Sequence, residues 1–267
     1  MVVTAGVDLG STATKALVLV DGRIVGSTAR VTGADPERSG ELALKESLDQ
    51  ASLELEAVEY IVATGYGRRA LELADESMNE INANARGAAW LGSHEGTVRT
   101  IIDIGGQDSK AISLDADGVI ADFAMNDKCA AGTGKFLEVI ADLLEVKVED
   151  LGDMSLEADR PVSIASTCVV FAQSEVVSLI ARKERAADIL AGINRSIAIR
   201  VVTMARRVGI DQVVVFDGGP AKNKGLRAAM ETELGFPVVV PRHPQLVVAL
   251  GAALVASDML TGEGGDL

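Results

Sequence analysis

Residues 8–15 read DLGSTATK, and residues 103–110 read DIGGQDSK. In both stretches an aspartate ends an apolar strand pattern, a glycine turn follows, and a lysine stands seven residues after the aspartate. Each stretch opens the same series of patterns, in which two further strands meet at an Asp-Gly hairpin signal. Either stretch alone could be an ordinary β-hairpin, but the repeated order of elements predicts two duplicated lobes.

The rest of the chain alternates strand and helix patterns, which is typical of an α/β fold. We predict an N-terminal lobe over residues 1–94, with a last helix over about 245–257 packed back on it. Residues 95–244 are predicted to form a C-terminal lobe that includes both cysteine-bearing segments. The stretch 258–267 is polar and glycine-rich, so we expect a flexible tail there.

The composition excludes several classes of function. Of the 267 residues, 48% are hydrophobic and 24% charged, and the formal net charge is −14. A chain this acidic is repelled by nucleic acid phosphates and anionic lipid surfaces, so neither is an expected partner. No uninterrupted apolar run approaches the roughly 20 residues of a membrane helix, and the N-terminus resembles a strand rather than a leader. We therefore expect a cytoplasmic protein.

The two glycine turns carry the groups that bind a polyphosphate. Gly10 and the Gly105-Gly106 pair let the backbone approach a ligand closely. Hydroxyls, amides and one cation are supplied by Ser11, Thr12 and Lys15. A single turn of this kind would be a plain tight turn, whereas two in a duplicated context favour phosphate binding.

Three side chains beside these turns are the candidate catalytic groups. Asp8 and Asp103 would face a hydrated Mg²⁺ between them, because this ion keeps several waters and takes few protein ligands. Gln107 can orient a water molecule but is a poor base, which favours hydrolysis over transfer to a substrate hydroxyl. The alternative is that Gln107 only hydrogen-bonds its own turn.

A third glycine motif follows a late strand pattern. Gly218 and Gly219 stand between this strand and a helix pattern, and Asn223 ends the motif. A glycine pair here lets a flat nucleotide lie against the backbone, and a helix start favours anions. The alternative is a plain strand–helix turn.

The two cysteines, Cys129 and Cys168, each precede a helix pattern, with Thr133 and either Ser166 or Thr167 as expected N-caps. A helix N-terminus favours a thiolate, and four thiolates hold a [4Fe-4S] cluster. One chain has only two, so a twofold dimer would have to supply the other two. The residues alone favour a simpler interpretation, in which both cysteines are small buried hydrophobic side chains.

The three glycine motifs resemble the phosphate-1, phosphate-2 and adenosine motifs of the actin/Hsp70/sugar-kinase superfamily. This resemblance implies a duplicated actin-like ATPase fold, which is ribonuclease H-like, with a nucleotide cleft between two lobes. A narrower resemblance is to the activator component of 2-hydroxyacyl-CoA dehydratases, in the ATPase family that also serves benzoyl-CoA reductases. The matching stretches run along the whole chain: 8–15, 63–68, 102–110, 126–138, 166–176, 191–193, 218–223 and 249–254.

The narrower resemblance implies a homodimer with one [4Fe-4S] cluster, held by Cys129 and Cys168 of each subunit. ATP or ADP with Mg²⁺ would occupy the cleft, with Gly218 and Gly219 facing adenosine. Ferredoxin or flavodoxin would supply the electron, and ATP hydrolysis would drive its transfer to the dehydratase. The chain departs from the family pattern at Pro220, which lacks a backbone N–H, and at Gln173, where a glutamate is expected.

Three other classes of function remain open from the sequence. A small-molecule kinase of the same fold would form a phosphorylated product and would hold no cluster. A nucleotide-dependent scaffold or filament protein would polymerise with ATP and would be indifferent to oxygen. A redox sensor whose two thiols form a disulfide is a third, weaker alternative.

Overall fold

The structure is a computed structural model that describes residues 1–92, 94–164 and 168–262. The chain divides into two compact units. The first comprises the described residues of Met1–Val98, Ala116–Ile120 and Gln245–Leu267, and the second those of Arg99–Asp115 and Ala121–Pro244. Each unit contains one β-sheet with its own helices.

The strands are β1 (Val3–Leu9), β2 (Ala13–Val20), β3 (Arg23–Val31), β4 (Tyr60–Thr64), β5 (Glu76–Ser77), β6 (Thr100–Ile104), β7 (Ser109–Leu114), β8 (Ile120–Asn126) and β9 (Val214–Asp217). The α-helices are α1 (Pro36–Ala51), α2 (Glu80–Gly92), α3 (Gly134–Leu144), α4 (Leu151–Leu156), α5 (Val169–Ala181), α6 (Ala186–Val208), α7 (Lys224–Leu234) and α8 (Val247–Thr261).

The sheet of the first unit has the order β3-β2-β1-β4-β5. Its central strand β1 is antiparallel to β2 and parallel to β4, so Asp8 lies opposite Lys15 on one side and Thr64 on the other. All seven residues of β1 are buried. Helix α8 lies directly on β1. The two elements are so close that a Cβ at Gly6 would stand only 2.1 Å from the Ala249 carbonyl oxygen.

The sheet of the second unit repeats this arrangement with the order β8-β7-β6-β9. Strand β6 is antiparallel to β7 and parallel to β9, so Asp103 lies opposite Lys110 and Asp217. Its largest core cluster joins the inner faces of α3, α6 and α7 to this sheet. The predicted α/β fold with two related sheets is therefore confirmed.

Several element bounds differ from the sequence prediction. Helix α1 begins at Pro36, ahead of the periodic apolar pattern, because the Asp35 side chain accepts a hydrogen bond from the Arg38 N–H and caps it. The apolar run 237–240 predicts a strand, but in the described chain Val239 forms only an isolated bridge with Val215. Helix α8 runs to Thr261 and so includes the first residues of the predicted tail.

Helix α8 is apolar on nearly every side. The segment Pro244–Thr261 is long and apolar enough, by length and composition alone, to cross a membrane. About two thirds of it is buried inside the protein, however, and α8 packs on β1, β2, β4 and α2 of the first unit. An all-round apolar helix is also what the centre of a globular unit requires, and this is the environment of α8.

Candidate functional site

The two candidate magnesium carboxylates occupy equivalent places in the two sheets. Asp8 is near the end of β1, and its Oδ2 atom lies 2.8 Å from the Lys15 ammonium on the neighbouring strand. The Oδ2 atom of Asp103 lies 3.1 Å from the Lys110 ammonium, which is also 2.9 Å from Asp108. The lysine seven residues after each aspartate is thus its cross-strand partner. Each buried carboxylate thereby has a cationic partner on the neighbouring strand.

The Asp8 site has polar atoms that suit a cation with its waters. In the described part of the chain, the buried Oδ1 atom of Asp8 and the buried hydroxyl of Thr64 have no hydrogen-bond partner. Thr64 is directly opposite Asp8 on the parallel strand β4. Buried oxygens without partners are costly, so these two fit a hydrated Mg²⁺ held against the end of β1.

A glycine with positive φ stands against each of the two carboxylates. A Cβ at Gly65 (φ +85°) would lie 2.5 Å from Asp8 Oδ1, and one at Gly218 (φ +82°) would lie 2.6 Å from Asp103 Oδ1. Only glycine fits either position without displacing the carboxylate. The sequence analysis did not select Gly65 as a site residue. The signal was nevertheless present, since Gly65 follows the parallel partner strand of β1 as Gly218 follows that of β6.

The adenosine motif separates into two kinds of glycine. Gly218 packs against the Ile104 carbonyl and Asp103, whereas a Cβ at Gly219 would meet open space. An open backbone surface at Gly219 suits a flat ligand, and the adenosine contact of both glycines stays a prediction. The motif opens a 3₁₀ turn, Gly219–Lys222, and α7 begins only at Lys224. Pro220 lies in the first turn of this short helix, where a missing N–H costs no intrahelical bond.

Asn223 is committed to internal hydrogen bonds. Its side-chain oxygen accepts from the Leu226 N–H at 2.9 Å and so caps α7. Its side-chain nitrogen donates to Asn194 on α6 at 3.2 Å, and the Asn194 amide donates to the Ser155 hydroxyl. The structure therefore gives this side chain a structural role, and its predicted nucleotide contact stays a prediction.

The first phosphate turn is held by a residue that the sequence analysis did not select. The Thr32 hydroxyl donates to the Gly10 carbonyl at 2.7 Å, and the Thr32 N–H donates to the Thr12 carbonyl at 3.1 Å. A Cβ at Gly10 would lie 2.7 Å from the Ala13 carbonyl oxygen. Ser11 at the tip of the turn is exposed. Thr32 therefore fixes the backbone of the turn, while the tip of the turn stays open to a ligand.

The second phosphate turn is tied to the start of α3. The Gly105 and Gly106 carbonyls accept hydrogen bonds from the Gly134 and Lys135 N–H groups at 2.9 and 2.8 Å. These donors belong to the first turn of α3, which has no earlier carbonyls of its own helix to bond. Gln107 at the tip of the turn is exposed. The Glu138 carboxylate, which accepts a hydrogen bond from the Lys135 side chain, raises the pKa of that ammonium.

Cys129 and Cys168 are free, half-buried thiols in different local structures. Cys129 lies in the loop between β8 and α3, and its carbonyl accepts a hydrogen bond from the Asn126 side chain at 2.7 Å. The prediction that it immediately precedes a helix is wrong, because α3 begins at Gly134. Thr133 does occupy the N-cap position, but its hydroxyl donates to the Ala130 carbonyl instead of capping the helix.

Cys168 itself is the N-cap residue of α5. The predicted caps Ser166 and Thr167 lie outside the described residues. Across residues 1–92, 94–164 and 168–262, no three histidine, cysteine, aspartate or glutamate side chains converge as a metal site. Two thiols per chain therefore fit a four-ligand cluster only where a second chain adds two more.

Two related sheets, each with an aspartate and a glycine turn after its central strand, define the class of actin-like ATPases. A glucokinase of the ROK family from Streptomyces griseus shares this fold, with a TM-score of 0.60 at 13% identity over 96% of this chain and 99% of its own. The chain belongs to the BadF/BadG/BcrA/BcrD ATPase family, whose model matches residues 5–256. The resemblance found in the sequence is thereby confirmed.

Individual relatives match over nearly their whole length. The chain is 44% identical to the (R)-2-hydroxyglutaryl-CoA dehydratase activating ATPase of Acidaminococcus fermentans, over 95% of this chain and 96% of the relative. It is 42% identical to the 2-hydroxyisocaproyl-CoA dehydratase activator of Clostridioides difficile, over 96% and 95%. The crystal structure of the Acidaminococcus component matches with a TM-score of 0.93 at 43% identity, over 98% of this chain and 100% of that chain. The Clostridium difficile activator with bound ADPNP matches with a TM-score of 0.92 at 42% identity, over 99% of both chains.

Proposed function

We propose that this ATPase activates a 2-hydroxyacyl-CoA dehydratase by passing it single electrons through a [4Fe-4S] cluster shared by a homodimer. One observation carries the proposal. Two free, half-buried thiols lie in a chain that is 42% and 44% identical, almost from end to end, to proteins named as activators of such dehydratases. An ATPase that only transferred phosphate would have no use for these thiols. We propose the cytoplasm as its location.

Each group of the nucleotide site would have its own task. Asp8 and Asp103 would each face a hydrated Mg²⁺, and the two glycine turns would bind the phosphates of ATP. Gln107, exposed at its turn, would orient the attacking water. Hydrolysis by positioning alone is expected to be slow, which suits a molecule that uses ATP as a gate rather than for group transfer.

Hydrogen bonds within the second unit support a coupling of this site to Cys129. The Gly134 and Lys135 N–H groups bond the Gly105-Gly106 turn, and the same chain segment continues back to Cys129 within five residues. A shift of this turn on binding or losing the γ-phosphate would therefore move the start of α3 and strain the Cys129 loop. Such a two-state element is what ATP-driven gating requires.

The surface next to Cys168 supports the homodimer. Val170, Phe171 and Val177 on α5 are 63%, 68% and 51% exposed. An apolar helix face of this kind beside a candidate ligand is suited to burial against a second copy. A twofold pair of such faces would bring the four thiols of two chains together.

When bound, the cluster supplies one-electron redox chemistry at low potential. A reduced ferredoxin or flavodoxin would give up one electron to the dimer, and the dimer would give one electron to the dehydratase. Cys129 and Cys168 would hold the group in place, and the α5 face would keep water away from it. ATP hydrolysis would drive the change of state between the two transfers.

Metal analysis of anaerobically purified protein tests the proposal. We expect about four irons and four sulfides per dimer, and a loss of both in Cys129→Ser and Cys168→Ser. Asp8→Asn is the matched control, because it should lose ATP hydrolysis while retaining iron. A colourless, metal-free protein after purification without oxygen, or an ATPase rate that depends on a sugar, would contradict the proposal.

A further inference from the structure

A cavity of about 380 Å³ lies beside Cys129 in the second unit. Its walls are the end of β8, the Cys129 loop and one face of α6. Three of its lining residues are cationic, namely Lys128, Arg200 and Arg207, and the single lining carboxylate is Asp127. This is unusual in a chain whose net charge is −14, because the protein as a whole repels anions.

The spacing along α6 explains how the arginines reach the cavity together. Arg200, Thr203, Met204 and Arg207 stand at i, i+3, i+4 and i+7, so they lie on one face of the helix. All four line the cavity. Arg207 is exposed, while Arg200, two helical turns earlier in α6, is half-buried. Arg200 and Arg207 therefore define a cationic strip along two helical turns of the α6 face that lines the cavity.

We propose that this cavity docks a carboxylate-rich surface of the protein that delivers electrons to the dimer. This docking site rests on the proposed function, since that function requires a reduced electron donor. Arginine binds carboxylates in a bidentate manner, which fixes the orientation of a partner as well as its position. A small acidic redox protein would be repelled by most of this chain and attracted to the strip, so encounter would be steered to Cys129.

The electron balance of the docked complex is simple. The donor's reduced centre, a flavin or an iron–sulfur centre, would lose one electron, and a cluster held by Cys129 and Cys168 would gain it. No bond is made or broken in the protein. Docking beside Cys129 shortens the path for this transfer, whereas docking on the first unit would not use the thiol segments at all.

Charge-reversal variants on one helix test the proposal. Arg207→Glu is compared with Arg195→Glu, an exposed arginine of α6 that does not line the cavity, so both variants change the net charge equally. The affinity for a purified acidic flavodoxin is measured by calorimetry at low and moderate salt, with cluster-free and cluster-loaded protein. We expect Arg207→Glu to weaken binding at least tenfold at low salt, and Arg195→Glu to change it less than about twofold.

Three results would overturn the proposal. Equal losses in the two variants would show a general charge effect rather than a docking site. A changed oligomeric state of Arg207→Glu, seen by sedimentation, would assign the cavity to contact between two copies. Unchanged flavodoxin binding with weakened dehydratase binding would assign it to the other partner. Because binding to cluster-free protein is measured directly, absence of a cluster would contradict the proposed function without deciding this outcome.

Discussion

Asp8 and Asp103 each end a strand that has an antiparallel neighbour on one side and a parallel neighbour on the other. The antiparallel neighbour supplies a lysine, and the glycine after the parallel neighbour presses against the carboxylate. A carboxylate that has an ion-pair partner and a closely packed glycine beside it keeps its geometry before any ligand binds. Preorganisation of this kind is the main source of electrostatic catalysis.

Removing one of these charges gives the first prediction. We expect Asp8→Asn to lower the Mg²⁺-dependent rate of ATP hydrolysis about 100-fold, because one preorganised electrostatic contact is lost. Phosphate release at increasing Mg²⁺ concentrations measures the effect. Asp49→Asn, which removes an exposed carboxylate of α1 paired with Lys45, should leave the rate unchanged. An Asp8→Asn protein with full activity would remove Asp8 from the metal site.

The glycine behind Asp8 gives the second prediction. Gly65→Ala combines a positive φ with a clash against Asp8, and we expect it to lower the free energy of unfolding by about 2–4 kcal/mol. Gly33→Ala is the control, because Gly33 also has a positive φ (+68°) but open space around it. That change should cost only about 1 kcal/mol. Urea denaturation of both variants measures the difference, and equal losses would mean that the contact with Asp8 is unimportant.

Residue-level features were predictable from the sequence only where their cause is local. The Asp–turn–Lys repeat places both carboxylates and both lysines correctly, because a hairpin brings residues seven apart face to face. Thr32 carries no such signal, and Gly65 is marked only by its place directly after the strand pattern of β4. Their roles depend on how closely distant segments approach the β1–β2 turn and Asp8, and this is decided by packing.

In the second unit, hydrogen bonds at the starts of α3 and α7 connect these helices to other elements of the fold. The amides that open α3 bond the Gly105-Gly106 turn, and Asn223 caps α7 while also bonding Asn194 of α6. Gly225, in the first turn of α7, has no room for a side chain beside Ser155. Helices α4, α6 and α7 are thus locked together at one polar point within an otherwise apolar core.

Removing the Asn223 side chain from this set of hydrogen bonds gives the third prediction. We expect Asn223→Ala to lower the free energy of unfolding by about 2–4 kcal/mol, since it removes a helix cap and leaves the buried side-chain oxygen of Asn194 without its donor. Asp35→Ala, which removes an exposed cap of α1 at a similar hydrogen-bond length, should cost about 1 kcal/mol. Thermal melts with and without ATP measure both variants. A loss seen only with ATP would instead support the predicted nucleotide contact of Asn223.

The bounds of helices and strands were predictable where a turn motif or a long stretch of periodic apolar residues marks them. The Asp21-Gly22 pair predicts a hairpin turn and the apolar period over 186–208 predicts a long helix. Both agree with the structure, because hairpin chemistry and helical periodicity are strong local signals. The apolar run 237–240 gave a wrong strand, since a short run does not show whether a neighbouring strand extends beside it. Helix α4 was missed for the same reason, as six residues are too few to establish a period.

At the scale of the whole molecule, several exposed apolar side chains stand close to the two thiols in the sequence. Val170 and Phe171 follow Cys168 by two and three residues, and Phe123 on the edge strand β8 precedes Cys129 by six. A monomer gains nothing from exposing these groups in water. Their position matches the proposal that two chains meet around the cysteines.

A single substitution on α5 gives the fourth prediction. We expect Phe171→Asp to weaken self-association about 100-fold, since a charge would replace a large apolar group at the centre of the proposed contact. Sedimentation velocity over a range of protein concentrations measures the effect. Ile24→Asp, on the exposed strand β3 of the first unit, should leave the association state unchanged. A Phe171→Asp protein that stays dimeric would place the twofold contact elsewhere.

The two hydrogen bonds from the Gly134 and Lys135 amides to the second phosphate turn have a further consequence. They make the turn and the opening of α3 a single rigid piece, so neither can rotate without carrying the other. Hydrogen–deuterium exchange at these two amides would then report on nucleotide occupancy as directly as a probe in the ATP site itself. Any ligand that stiffened the loop around Cys129 would slow nucleotide release by the same linkage, because the coupling of two sites acts equally in both directions.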